Sequence, residues 1–368
     1  MARRSAEPEP PGPRPPALRL ATPDRYSDRF LAGLEDADRV TFVSHVYPDP
    51  DSLGSMYGLA HLVGSCLGKP TRLTRDGPVS RAENRAMVEL LHLELLPVEE
   101  LDWSKNEAVV MVDSQPNTGR HTLGPDVPLY AVIDHHGTPG DLSDVPFVDV
   151  RRNLGATCSL VTRYLMEQDV RIPTPVATAL LYGIETETSG YPREASPVDD
   201  SALLYLYPLA DKDLIARIRN ARLPQSYFGC FLLALQNSFV YDRLIIAWVN
   251  DLPHPELAAE VVDFLIRFEE VDYAVCAGVH GERLILSVRA AVEDANAGVM
   301  LKKVVNGMGR AGGHDRRAGG FIPLPSTSAS AIEQVQSDFR RRLLRALQIE
   351  DSRGRRLVPR KEMLQNMV

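Results

Sequence analysis

The sequence predicts an α/β fold: a parallel-sheet domain joined by a helical connector to a smaller α/β domain, with the functional site in the cleft between them. Three observations predict it. Strand-like and helix-like runs alternate along the chain, the early strands are apolar throughout, and three of them end in His or Asp. Fully apolar strands belong to a parallel sheet covered on both faces, and ligands on such sheets gather at the carboxyl ends of the strands.

Each element follows in turn. Residues 1–23 are Pro-rich and lack the continuous apolar core of a signal peptide, which predicts a disordered arm. Arg39 to Ser44 (RVTFVS) reads as a short buried strand, and an apolar run at helical spacing follows from Leu53 to Leu67. Thr71 to Thr74, a helical Arg81 to Leu91, and the strands Ala108 to Val112 and Leu129 to Ile133 complete the first sheet. Leu154 to Gln168, Pro175 to Thr188 and Asp199 to Ala210 are helical, and Asp211 to Phe239 continues the pattern with a break at Pro224. A second α/β segment starts near Arg243, with strand Leu244 to Val249, helix Glu256 to Phe268, a hairpin of Tyr273 to Val279 and Arg283 to Arg289, and helix Ala295 to Met308. A glycine-dense loop at 307–314 then leads to Gly319-Gly320. The implied division is 24–210 for the first domain, 211–240 for the connector, 241–348 for the second domain and 349–368 for a mobile tail.

Composition narrows the function. The net charge of −8 argues against a broad surface for duplex nucleic acid, while a small anionic substrate held by cations remains compatible. The apolar runs are too short or too polar for a bilayer, which needs roughly 20 apolar residues. Cys66, Cys158, Cys230 and Cys276 show no zinc-pair spacing and read as reduced core thiols of a cytoplasmic protein.

The chemistry lies at the strand ends. His45, Asp49 and Asp51 follow the first strand, Asp113 the Ala108–Val112 strand, and Asp134-His135-His136 the next. Pro48 and Pro50 keep their predecessors extended, so Asp49 and Asp51, two apart, can converge. A lone Asp after a strand is ordinarily a turn or helix-cap residue, and a lone loop His is equally ordinary. The joint pattern is not. Two bare carboxylates about 4 Å apart repel by roughly 4 kcal/mol at an effective dielectric of about 20, so a converging set that includes Glu187 requires protons or cations. Mixed imidazole and carboxylate ligation suits manganese, iron, cobalt or zinc.

The motifs His45-x-x-x-Asp49-x-Asp51-Ser52-x-Gly54-Ser55, Val112-Asp113-Ser114 and Asp134-His135-His136 resemble those of the DHH phosphoesterases, and Gly312-Gly313-His314 resembles the signature of their associated C-terminal domain. The resemblance spans about residues 25 to 345 and favours the oligoribonuclease type. It implies two divalent ions, most often Mn2+, with Asp113 bridging. His45 and Asp49 complete one site; Asp51 and His135 belong to the other. Asp134 orients an imidazole, His136 reaches toward the substrate phosphate or leaving group, His314 with Gly312 and Gly313 before it holds the substrate's far end, and Arg289 pairs with a phosphate. The implied reaction is hydrolysis of short single-stranded oligonucleotides or of the mononucleotide bisphosphate 3′-phosphoadenosine 5′-phosphate. A cyclic dinucleotide phosphodiesterase and a nucleotide-binding module that has lost turnover are the alternatives, and a homodimer stays open.

Two departures from the family pattern stand out. Glu187, in Gly183-Ile184-Glu185-Thr186-Glu187-Thr188, stands where the fourth motif has Asp, which implies a looser second metal. Arg316 and Arg317 stand where family members carry small residues before the last glycine.

Overall fold

The computed structural model describes residues 25–103, 106–137, 140–188, 195–313 and 315–359. The first part of the chain runs α1 (Tyr26–Ala32), β1 (Arg39–Val43), α2 (Pro50–Leu67), β2 (Thr71–Arg75), α3 (Ala82–Leu90), β3 (Leu95–Pro97), β4 (Glu107–Val112), β5 (Leu129–Asp134), β6 (Phe147–Val150), α4 (Thr157–Glu167) and α5 (Thr174–Thr188). Its six strands form a wholly parallel sheet in the order β3-β2-β1-β4-β5-β6. From β1 the chain winds outward through β2 and β3, then returns beside β1 and winds the other way through β4, β5 and β6. The reversal leaves a crevice at the carboxyl ends of β1 and β4.

Burial explains the strand sequences. All six residues of β4 are buried. Phe42, Val110 and Ile133 share one core with Leu53 and Met56 of α2, Val161 of α4 and Leu180 of α5. On the other face Val43, Val109, Met111 and Val132 are covered by the loop residues Trp103, Leu123, Val127, Leu142 and Val145. The sheet is therefore double-sided as expected, with loops forming this second cover. At its amino end, Glu107 is buried against Arg39, Arg72 and Thr41.

Helices α6 (Pro197–Leu206), α7 (Lys212–Arg219) and α8 (Gln225–Gln236) follow, and Pro224 caps the last of them. The second part comprises β7 (Ser238–Tyr241), β8 (Leu244–Val249), α9 (Leu257–Leu265), β9 (Tyr273–His280), β10 (Arg283–Ala290), α10 (Ala297–Val305), β11 (Arg310–Gly313), β12 (Arg317–Pro323), α11 (Ala329–Ala346) and β13 (Arg355–Arg356). Its mixed sheet has the order β11-β12-β10-β9-β8-β7-β13, with only β8 and β9 parallel.

Several expectations change. The 307–314 loop is in part strand β11, because its backbone pairs with β12 from Arg310 to Gly313. Residues at the end of the expected helical stretch instead form β7, and the charged tail includes β13, paired to β7 through Arg355 and Arg356. Cys66 is exposed, whereas the other three thiols are buried. The 1–23 arm, His314 and residues 360–368 lie outside the described residues. Among the described residues, no helix is long and apolar enough to cross a membrane.

Helix α2 presents the site and α5 braces it. Asp49 caps α2 by accepting from the Ser52 amide, Pro50 opens the helix, and Gly68 ends it at φ 65°. At Gly183 a Cβ would lie 2.5 Å from Cys158 Sγ and 2.8 Å from the Pro50 carbonyl. Gly64, in contrast, faces open space. Gly183→Ala should thus cost about 1–3 kcal/mol by overpacking, while Gly64→Ala should gain about 0.5–1 kcal/mol from helix propensity. Urea unfolding of the two variants checks this; a neutral Gly183→Ala would show that close approach does not lock the two helices.

Candidate metal centre

The carboxyl ends of β1, β4 and β5 bring His45, Asp113 and the 134–136 triplet together. Asp113 is the hub. Its Oδ2 lies 3.4 Å from His45 Nε2, while its Oδ1 lies 3.5 Å from His135 Nε2 and 3.6 Å from His136 Nδ1. One carboxylate thus faces an imidazole with each oxygen. Its backbone is left-handed, φ 56°, an uncommon state that Asp tolerates better than most residues. The Asp113 amide donates to the Ile133 carbonyl at 2.9 Å, and Thr157 Oγ1 donates to Oδ1 at 2.8 Å.

On one side, His45 Nε2 is 3.5 Å from Asp49 Oδ2, and its Nδ1 lies 2.9 Å from the Val46 carbonyl. On the other, His135 Nε2 is 3.7 Å from Asp51 Oδ2, with Nδ1 3.2 Å from the Leu154 carbonyl. Carbonyl contacts of this kind place the proton on Nδ1 and turn Nε2 toward the carboxylates. Both Nε2 atoms are buried and have no hydrogen-bond partner among the described residues. Two sets of potential ligands share Asp113: His45 with Asp49, and His135 with His136. Orphaned imidazole nitrogens beside carboxylates fit a divalent cation of the imidazole-tolerant class.

Asp51 has a second duty. Its oxygens accept from the Thr157 and Cys158 amides at 2.7 Å each, satisfying donors at the start of α4 that have no partner within the helix. Asp134 accepts from Gln115 Nε2 at 2.7 Å and lies 2.8 Å from His136 Nδ1, so the imidazole it orients is His136. The sequence assigns no role to Gln115 or Thr157, and to Cys158 only that of a core thiol. Gln115 follows the Asp113 motif by two positions, a signal that proximity in the chain could have supplied; the two α4 residues carry none.

The crowding shifts proton affinities. Burial depresses the His45 imidazole, but Asp49 and Asp113 outweigh it and raise it to about 10. His135 is also depressed by burial and raised past it by Asp113 and Asp51, to about 9. Burial and then the Asp113 charge push Asp51 well above the usual carboxylate range. Burial and Asp49 raise Glu187. Asp49 goes down despite burial because of His45, and Asp134 falls to about 2 because the His136 hydrogen bond outweighs burial.

The second domain reaches this face. Arg81, at the start of α3, lies 3.5 Å from Glu256 beside α9, and Glu187 lies 3.8 Å from Arg317 of β12. Arg289 is held by Asp263, with Nε to Oδ1 2.6 Å and Nη2 to Oδ2 3.3 Å, and its Nη1 donates to the Val288 carbonyl. Gly313, φ 144°, admits no side chain because a Cβ would strike the Arg317 carbonyl. Gly312 has open space there.

Residues 39–184 match the DHH family, N-terminal domain. An uncharacterised protein of Methanocaldococcus jannaschii is 29% identical over 315 residues, 84% of this chain and 64% of that protein. The cyclic-di-AMP phosphodiesterase GdpP of Bacillus subtilis is 24% identical over 293 residues, 74% of this chain and 44% of that protein. The chain therefore spans less than two thirds of the length of either relative. An exopolyphosphatase-related protein from Bacteroides fragilis shares the fold with a TM-score of 0.68 at 18% identity, over 88% of this chain and 97% of that one. The strand-end acids and imidazoles meet inside the segment that matches the N-terminal domain of the DHH family.

Proposed function

We propose that the chain is a metal-dependent phosphoesterase of short nucleotides, acting on di- to penta-nucleotides or 3′-phosphoadenosine 5′-phosphate. The observation that carries this reading is the position of Asp113, whose two oxygens face His45 on one side and His135 and His136 on the other. A bridging carboxylate between two imidazole-bearing sites suits a pair of divalent ions, manganese first among them. His45 and Asp49 would hold one ion with Asp113; His135 and Asp51 would hold the other, with Glu187 beside it. Such ions, when bound, would lower the pKa of a coordinated water and neutralise phosphoryl charge. His136, held by Asp134, would donate a proton to a leaving oxygen. A second reading, cyclic dinucleotide hydrolysis, is favoured by the likeness to GdpP along most of this chain.

Initial rates with manganese on labelled dinucleotides, five-mers, cyclic dinucleotides and 3′-phosphoadenosine 5′-phosphate rank the substrates. Asp113→Ala should lower the best rate by more than about 100-fold, since loss of a partner outside the ligand shell already costs about 10- to 100-fold. Equal rates for wild type and Asp113→Ala on every substrate would reject the enzyme.

Proton competition offers a second check. His45 and His135 titrate near 10 and 9 in the metal-free fold, above the ordinary 6.5. Their contribution to stability is fully present below pH 6.5 and is lost as pH rises through 9 to 10. Ions must displace these protons, so apparent manganese affinity should climb from pH 6 to pH 8, by up to about tenfold per pH unit for each proton released. Calorimetry in buffers of different ionisation heat counts the protons; pH-independent binding without proton release would contradict the ligand set.

A further inference from the structure

The two departures from the family pattern meet. Glu187, at the end of α5 in the first domain, and Arg317, at the start of β12 in the second, lie 3.8 Å apart. Arg317 is also the cross-strand neighbour of Arg289, and like charges placed so repel unless each has its own counter-charge. Asp263 serves Arg289 with both oxygens. Glu187 serves Arg317 across the cleft.

The two guanidiniums differ in what they have left to give. Nε, Nη1 and Nη2 of Arg289 all donate within the second domain. Among the described residues Arg317 makes one loose ion pair, and its Nε is buried with no acceptor. A guanidinium has five donors, and a buried unpaired one is costly until an acceptor arrives. A small residue at 317 could not supply this group, and the extra methylene of Glu over Asp extends the carboxylate at 187.

Building on the phosphoesterase reading, we propose that Arg317 receives a substrate phosphate other than the scissile one, and that Glu187 is the residue that positions it. The substrate class is thereby narrowed to nucleotides carrying a terminal phosphate. Arg is suited to this by its planar fork, which matches two phosphoryl oxygens.

The test compares equilibrium binding of the dinucleotides pApA and ApA to the full chain in chelator, by calorimetry. Wild type should prefer pApA, and Arg317→Ala should erase about 10- to 100-fold of that preference, as loss of a charged hydrogen bond would. Arg317→Lys, which keeps the charge without the fork, should retain part of it. Glu187→Gln should reduce it less than Arg317→Ala, and Arg310→Ala, on exposed β11, should retain it. Equal wild-type affinity for the two ligands, or an Arg317→Ala protein that keeps the full preference, overturns the assignment. Because no metal or turnover is involved, these results judge Arg317 separately from the rate measurements that judge the phosphoesterase reading.

Discussion

The site depends on keeping several negative charges within a few ångströms of one another inside a folded protein. Asp113 stands at the centre of that problem, buried to 1% exposure, with His45, His135 and His136 around it and a left-handed backbone holding it in place. A residue in that conformation persists only when its surroundings over-determine it. Here they do: β5 takes its amide, Thr157 gives it a hydroxyl, and the imidazoles flank both oxygens. The same groups that permit the carboxylate to be buried leave two imidazole nitrogens with nothing to bond. The buried carboxylate and the open imidazole nitrogens are therefore two faces of one arrangement.

Chain order determines where this arrangement can exist. The strand sequence reverses between β1 and β4, and His45 and Asp113 follow those two strands. With no crossover covering the gap at that end, both side chains reach the same crevice. The start of α4 then closes the floor, since Asp51 occupies the amides of Thr157 and Cys158. Close packing at Gly54 and Gly183 holds α2 against α5, so Asp51 cannot shift without a collision. The helix packing and the ligand geometry are one constraint.

Burial and chain order also decide what is legible in the sequence. β1, β4 and β5 are legible because burial on both faces leaves an unbroken apolar run, and the site residues are legible because they follow those runs directly. β6 is harder to see: Asp149 interrupts it, tolerated only because Arg151 and Tyr164 bond its two oxygens. β3 is three residues long and ends in proline, and β11 and β12 owe their pairing to backbone more than to side-chain pattern. The contributions of Thr157 and Cys158 are invisible for a similar reason. They act largely through backbone amides more than one hundred residues from Asp51, and any residue except proline carries an amide. Arg289 shows the opposite limit, because residue type suggested an available guanidinium while the carboxylate that occupies it lies 26 residues away.

The second sheet carries its own electrostatic problem, solved differently on its two adjacent arginines. Arg289 is neutralised from within the same domain, by Asp263, so its pairing does not depend on how the cleft is closed. Arg317 is neutralised from the opposite domain, by a residue that also sits in the field of Asp49, Asp113 and His135. Any cation that draws Glu187 toward the first domain weakens its hold on Arg317, and any anion that binds Arg317 returns Glu187 to the cation. Competition for the Glu187 carboxylate would thus couple the two sides through the shift of one side chain. The coupling should be modest, since both side chains of the pair remain partly exposed and water screens such contacts. The buried Nε of Arg317, without an acceptor among the described residues, would give it direction.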